Sequence, residues 1–584
     1  MRVAAFLLFC AVAQAQSPCA NTAAYTSCDI VFELPAGQSD PYKTVELKAE
    51  FRSPRHHTFA MPGFWAGGNR MIIRFAPTEA GEWDYRVTSN VKEFDGKVDK
   101  FTAANSSSPG FLRAANVHHW AYTEKDARGL DQAHLWMGAT DLRFPTEDEA
   151  EFRAAADARA AQKFNHLRGM LDASMMSGPD APNLAYFQKL DERIKYLNGK
   201  GITADLMLAP DGAALAKIAP NWDQRRRWVR YLIARYAPMH VTWQGVEHFE
   251  DTIDTRAQLK EIGGILKELD PYQHPRSTGA RVTSASLLDD GWMNYAAYGT
   301  SDSNVNGIEH QLYAVPFVNV DLGAETADTA AFRHRVWNAT MDGQSPTHVA
   351  AAGVGVNSAG AKQMSVWYDF FADTRYWELE PYYDVDGGRA MALEDIEYVV
   401  YLEKPGPLEL TVEKHGYDVY WVNPADGEVT KGKKFSGDHF TGQPPDRAHD
   451  WVLHVVREGR MESMNKSYKF ESREIVLQEI ESNSPKVPFT VEQPTQDLTL
   501  KVSAPYAAKL TKETRATRTM WYLWTADVST GGQGYRVIGT GASGTFRPLN
   551  GIAKEFPAIM HLRVYGMNAN GKVYALDRAL SINP

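Results

Sequence analysis

Between about Phe111 and Leu393 the chain alternates short β-branched or aromatic runs with longer helical patterns. Eight strand candidates stand out: His134–Thr140, His166–Leu171, Thr203–Ala209, Val241–Val246, Arg276–Val282, Met293–Gly299, Phe317–Leu322 and His348–Gly353. Helical patterns fall between most of them, the clearest at Glu147–Phe164, Asn183–Asn198, Trp222–Met239, Thr255–Leu269, Thr329–Met341 and Ala361–Phe371. Only Ser284–Gly291 separates strands five and six, too little for a full helix. Parallel strands need a crossover of about a dozen residues or more, usually helical. Eight strands with intervening helices in fewer than about 300 residues therefore predict a (β/α)8 TIM barrel. An open doubly wound sheet is the competitor, and it would normally carry a phosphate loop.

The texture on either side is different. Ile30–Leu34, Val45–Phe51, Met71–Phe75 and Trp83–Thr88 are short apolar or alternating runs divided by Gly and Pro turns. They predict a small β-sandwich, with Asn105–Gly110 as its linker. After Leu393 strands return. Tyr398–Leu402, Leu408–Glu413, Asp418–Val422, Trp451–Val456 and Glu474–Gln478 make one sandwich. Leu498–Val502, Met520–Trp524, Tyr535–Ile538, Ala558–Val564 and Lys572–Ala575 make a second. The expected division is a signal at 1–15, an N-terminal sandwich at 16–108, the barrel at 109–394, and sandwiches at 395–482 and 483–584.

The signal reading rests on Arg2, the apolar run Val3–Val12 and the small-residue site Ala13-Gln14-Ala15. It predicts a secreted or periplasmic protein. Cys10 leaves with that segment, so Cys19 and Cys28 remain as an even pair, and a disulfide between them is expected. A net charge of −10 leaves no basic footprint for nucleic acid. No later run of about 20 apolar residues suggests a membrane span.

Barrel chemistry gathers where strands end. Strand four runs into Glu247, Glu250 and Asp251, and Glu247 stands farthest from the next helix. Strand seven ends in Asp321 and Glu325. Glycoside hydrolysis needs two such carboxylates: one protonates the leaving oxygen, the other attacks the sugar or activates water. Glu247 is thus the candidate acid, with Asp321 or Glu325 as its partner. The competing reading makes these acids loop charges and caps. Asp141, His166, Arg168, His248 and Asn319 fall at or near strand ends, where polar groups would contact hydroxyls. Trp243 and Tyr298 are the aromatic candidates for stacking on sugar rings.

Other motifs carry less. Gly539-Thr-Gly-Ala-Ser-Gly544 matches a dinucleotide pattern, but Thr-Phe-Arg-Pro follows it rather than a helix. Gly353-Val-Gly-Val-Asn-Ser-Ala-Gly360 has the wrong glycine spacing and reads as a mobile loop. His118-His119 and His56-His57 are adjacent pairs, which on a strand point to opposite faces. No metal and no cofactor are expected.

Several stretches resemble a known family. Phe64-Trp65, Arg74-Phe-Ala-Pro77 and Gly81-Glu-Trp-Asp-Tyr85 resemble a small sandwich found on secreted bacterial glycoside hydrolases. Tyr186-Phe-Gln188, Arg226–Tyr236 with Val241-Thr-Trp243, and Asp270-Pro-Tyr272 resemble apiosidase-like hydrolases. Arg375-Tyr-Trp377 and Gly387–Leu393 lead into a stretch similar to their collagen-binding-type sandwich. The resemblance implies cleavage of O-glycosidic bonds in plant or microbial polysaccharide by a two-carboxylate mechanism. Two departures keep an alternative open, a catalytically inactive carbohydrate-binding or adhesion protein. The family's usual Gly-Asp-Thr is Gly138-Ala-Thr140 here, followed by Asp141, and Asp321 stands where Glu is usual.

Overall fold

The structure is a computed structural model that describes residues 18–115, 117–252, 254–326, 328–349, 356–459, 480–494, 500–501, 504–513, 519–528, 534–547 and 558–583. The signal-like segment 1–15, the expected strand 474–478 and residues 353–355 of the glycine-rich loop lie outside them. The chain divides into two compact units. One is Met1–Gly110 with Tyr231–Met239; the other is Phe111–Arg230 with His240–Pro584.

In the first unit, one antiparallel sheet joins Cys28–Glu33, Arg70–Phe75 and Phe64–Gly67, and another joins Thr58–Pro62, Leu47–Arg52, Gly81–Ser89 and Val98–Ala103. Leu47–Arg52 alternates strictly between buried and exposed, the mark of a strand with one face on a core. Phe51 stacks on Phe75 with ring centroids 3.8 Å apart. A disulfide joins Cys19 to Cys28, with Cα atoms 5.4 Å apart.

The second unit is built on eight parallel strands: β1 (Gly138–Thr140), β2 (His166–Met170), β3 (Thr203–Ala209), β4 (Val241–Val246), β5 (Arg276–Ser277), β6 (Ala296–Tyr298), β7 (Phe317–Asn319) and β8 (Gln344–Val349). Their hydrogen-bonded order is β5-β4-β3-β2-β1-β8-β7-β6. The helices are α1 (Glu149–Ala161), α2 (Leu184–Gly199), α3 (Gly212–Ile218), α4 (Trp222–Tyr236, counted with the first unit from Tyr231 on), α5 (Thr255–Leu269), α6 (Ser303–Leu312), α7 (Thr329–Met341) and α8 (Ala359–Ala372). This is a TIM-like (β/α)8 near-barrel with one seam. Among the described residues, no strand pairing joins β5 to β6. Instead Asn294 bridges them: its N–H donates to the Arg276 carbonyl across 3.0 Å, and its Oδ1 accepts from the Arg276 N–H across 2.7 Å. The seam falls where the intervening segment is too short for a full helix; a 3-10 turn, Ala285–Asp290, fills it.

Three expectations are corrected here. His134 belongs not to β1 but to a preceding antiparallel sheet of Leu112–Ala114, Trp120–Lys125 and Asp131–His134. Strand five stops at Ser277, and Ser284 already pairs back to Ala297, its N–H 2.9 Å from that carbonyl. Strand eight begins at Gln344, earlier than its apolar pattern suggests. Helices α3 and α6 were not among the helical patterns read in the sequence.

After the barrel, Glu380–Tyr382, Arg389–Leu393, Glu397–Leu402, Trp451–Arg457, Leu408–Val422 and Val385–Asp386 form an antiparallel sheet. Leu408–Val422 is one long strand, where two were expected. The last part of the chain forms two further sheets, which enclose a core around Trp524, Leu562 and Val564. Its outer residues Leu523, Tyr565, Met567 and Val573 pack on Ala296, Tyr298, Ile308 and Phe317 of the barrel. Gly539–Gly544 makes the turn from strand Arg536–Thr540 directly into strand Ser543–Phe546, so a strand and not a helix follows its glycines. Among the described residues, no helix is long and apolar enough to cross a membrane.

Candidate active site

Period-two alternation along β4 sorts its side chains. Thr242 and Gln244 point into the ring, while Trp243 points outward and donates from Nε1 to Asp270 Oδ2 across 3.0 Å. The interior carries a polar ladder instead of the usual aliphatic layers. At its lower level His134 Nε2 meets His166 Nε2 at 3.0 Å, His166 Nδ1 meets Asp205 Oδ1 at 2.9 Å, and Thr242 Oγ1 donates to the same oxygen across 2.8 Å. Tyr122 OH lies 2.8 Å from His134 Nδ1. One arrangement of protons satisfies these contacts with both rings neutral. Tyr122 donates to His134, His134 donates to His166, and His166 donates to Asp205. Burial, then the neighbouring His166, holds His134 well below its usual value, in keeping with a neutral ring.

Above that level lies Arg168 on β2, buried, with Nε donating to Gln244 Oε1 across 2.6 Å. Gln244 Nε2 donates in turn to Tyr295 OH across 3.1 Å. Burial lowers the Arg168 guanidinium from its usual value. Glu247, Tyr295, Asp205 and Asp321 oppose that, Glu247 the most. Both strand-end acids thus lie within electrostatic range of Arg168. Glu247 directly follows β4, is half-buried, and donates from its N–H to the Pro210 carbonyl across 3.2 Å. Asp321 follows β7 and is exposed; its N–H donates to Asn319 Oδ1 across 3.1 Å.

The segment after β5 holds Glu247 in place. Gly279 donates to the Val246 carbonyl across 2.7 Å. A Cβ on Gly279 would stand 2.2 Å from the Glu247 carbonyl oxygen, so only glycine permits this approach. Exposed Arg281 reaches back to Asp251 at 2.6 and 2.7 Å, and its backbone N–H donates to both oxygens of Glu250 at 3.1 Å. The C-terminal sheets reach the loops after β4 and β6. Arg536 lies over the Phe249 ring, 4.6 Å from its centroid. Thr540 Oγ1 donates to Asp302 Oδ2 across 2.7 Å in the loop after β6.

The other expected residues divide into two groups. Asp141 follows β1, is half-buried, and ties that strand end to β2 through its N–H on the Arg168 carbonyl, 2.9 Å. His248 is half-buried, with Nδ1 3.9 Å from Asp251. His166, Trp243, Tyr298 and Asn319 are wholly buried and present no surface to a sugar. Tyr298 donates to Glu309 Oε2 across 2.7 Å, under the last domain. Asn319 donates to the Thr300 carbonyl at 2.7 Å and to Gln344 Oε1 at 3.0 Å. Glu325, the reserve partner for Glu247, is corrected most firmly. Its side chain is 0% exposed, and Arg159 at 2.5 and 3.0 Å and His348 at 2.9 Å take its oxygens. A carboxylate so enclosed meets neither sugar nor water.

One functional candidate escaped the sequence reading. Glu147, in the loop after β1, is pushed up to about 7 by burial and then by the charge of Asp141. A carboxyl that keeps its proton near neutral pH is the form a proton donor needs. In the sequence Glu147 reads only as a helix start, because nothing local shows the burial of its side chain.

Residues 21–90 match a family model described as Domain of unknown function (DUF5060). No curated protein matches this chain. Among solved structures, the chain is similar to a candidate glycoside hydrolase from Bacteroides vulgatus ATCC 8482, at 19% identity and TM-score 0.64, over 75% of this chain and 100% of that one. It is similar to a glycoside hydrolase family 5 protein from the same organism, at 14% identity and TM-score 0.53, over 60% of this chain and 93% of that one. A further structure, described as a glycoside hydrolase, is 16% identical with TM-score 0.52, over 60% of this chain and 97% of that one. At these identities the likeness is one of fold.

Proposed function

We propose that this protein is a secreted glycoside hydrolase that cleaves O-glycosidic bonds in plant or microbial polysaccharide. Glu247 is the general acid/base, and Asp321 is the nucleophile or the base that activates water. The observation that carries the reading is electrostatic: two acids that follow β4 and β7 both act on one buried cation, Arg168. Arg168 holds charge beneath the mouth, while Asp141 and His248 supply partly exposed polar groups beside it. The fold shared with proteins described as glycoside hydrolases supports the same class. The apiosidase-like stretches direct the choice of substrates to branched plant cell-wall glycans first.

The test is a reducing-sugar screen across plant cell-wall and bacterial glycans. Wild type, Glu247→Gln, Asp321→Asn and Glu147→Gln run side by side. Loss of a positioned proton donor costs about 10²–10⁴-fold in rate. Glu247→Gln and Asp321→Asn should each lose turnover on that scale while still binding glycan. Full activity in Glu247→Gln would overturn the assignment, and a loss confined to Glu147→Gln would move the acid role there.

A second reading has its own observation. Gly138-Ala139-Thr140 places no acid on β1 itself. A carbohydrate-binding or adhesion protein on a hydrolase scaffold would bind glycans in the same screen with no turnover in wild type.

A further inference from the structure

The far end of the barrel holds a second cluster of chemistry-bearing groups. His118 Nδ1 lies 3.0 Å from Glu380 Oε2, and His310 Nε2 lies 3.2 Å from the same oxygen. His119 Nδ1 lies 3.6 Å from Glu380 Oε1. His118 and His119 do not diverge as a strand pair would, because residues 117–118 form a bend before strand Trp120–Lys125. These groups line a cavity of about 60 Å³ with Trp136 and Gly343, at the N-terminal ends of β1 and β8. Glu247 and Asp321 follow the opposite ends of their strands.

Tautomers decide what the cluster wants. His118 Nε2 lies 3.0 Å from the Tyr313 carbonyl and His119 Nε2 lies 3.2 Å from the Leu379 carbonyl. A carbonyl only accepts, so each Nε2 carries the proton. In the neutral rings both Nδ1 lone pairs then face the Glu380 carboxylate, acceptor against acceptor. That arrangement needs a positive centre between the groups. Metal-bound histidines show the same pattern, with the second ring nitrogen donating to a backbone carbonyl. His310 is buried, and its Nδ1 has no hydrogen-bond partner. Gly343 makes room for that ring: a Cβ there would stand 2.5 Å from His310 Nε2.

We propose that His118, His310 and Glu380, with His119 beside them, bind a divalent transition-metal ion of the zinc class. Imidazole nitrogen with one carboxylate is a zinc-type donor set. Ligand atoms about 2.1 Å from a tetrahedral ion stand about 3.4 Å apart. The observed 3.0, 3.2 and 3.6 Å separations bracket that value. The rings of His118 and His310 are tilted by 36° with centroids 3.7 Å apart, side by side at the site. The ion pins three segments together: the chain entering the barrel, α6, and the first strand of the following sheet. Its role is to hold the barrel floor, remote from the strand-end acids.

Full-length protein is stripped with EDTA, desalted and returned to one equivalent of ZnCl2. Bound zinc is counted by mass spectrometry after a second desalting, and Tm is followed with and without zinc. The expected result is about one zinc per chain with a raised Tm. His310→Ala and Glu380→Gln, shown folded by circular dichroism, should each bind zinc at least tenfold more weakly. His56→Ala, outside the cluster, should bind as wild type does. Should His310→Ala fail to fold, Glu380→Gln and the X-ray absorption edge of wild type decide, with imidazole nitrogens expected around the zinc. No zinc retained by wild type, equal binding in Glu380→Gln, or a shell of oxygen alone would each overturn the proposal and leave a protonated histidine as the positive centre.

Discussion

Arg159 on α1 and Glu325 after β7 form a two-pronged ion pair, Nη2 to Oε1 at 2.5 Å and Nη1 to Oε2 at 3.0 Å, with both side chains out of solvent. His348 on β8 adds a third contact at 2.9 Å. The acid thus ties the strand seven loop to the helix after strand one. Removing one partner of a buried pair costs about 3–5 kcal/mol. Glu325→Gln should lower the urea midpoint accordingly and leave turnover per folded molecule unchanged. Intact stability with lost turnover would return Glu325 to the chemistry.

Gly279 predicts a positioning effect. An alanine there drives its Cβ into the Glu247 backbone, which cannot swing aside as a flexible side chain would. Misplacing a reacting group by about 1 Å can cost about 10²-fold in rate. On a confirmed substrate, Gly279→Ala should reduce kcat on that scale with a smaller change in KM. An unchanged kcat would mean that Glu247 does not depend on this approach.

Glu147 should titrate near neutrality. Carbon-13 NMR of the glutamate carboxyls should find one midpoint at about 7 that disappears in Glu147→Gln. Asp141→Asn removes the like charge beside it and should move that midpoint down. An unmoved midpoint would leave burial as the whole cause.

Asp342 sets a pH dependence of stability. It is buried, accepts from Ser303 Oγ across 2.6 Å, and has Arg389 Nη1 3.3 Å away. Burial nevertheless raises it from 3.8 to about 6, with Arg389 and Ser303 opposing and Asp302 reinforcing. A raised acid stabilises the fold while protonated, below its unfolded value, and that contribution is lost as pH rises through the folded value. Relative to Asp342→Asn, wild type should therefore lose on the order of 3 kcal/mol between pH 4 and pH 7. Parallel urea melts at the two pH values measure it. A constant difference would show that Asp342 ionises normally.

Local pattern was enough for the barrel's repeating units. Thr203–Ala209, Val241–Val246, Thr255–Leu269 and Thr329–Met341 appear in the structure with the bounds their periodicity sets. Continuous apolar strands and amphipathic helices carry their own period in the residues themselves. The positions of Glu247 and Asp321 just past strand ends were legible for the same reason.

What the residues around those acids do was decided by the tertiary structure. Trp243 and Tyr298 had the composition of sugar platforms, but helix α5 with its following loop and the last domain cover them. Glu325 and Asp321 lie four positions apart and look alike in the sequence; a guanidinium from α1 encloses one, and the other stays exposed. His118, His310 and Glu380 come from three distant stretches, so no spacing rule could unite them. Strand and helix formation depends on neighbours along the chain. Burial, ion pairing and a shifted proton affinity depend on neighbours in space, and only the folded barrel brings those together.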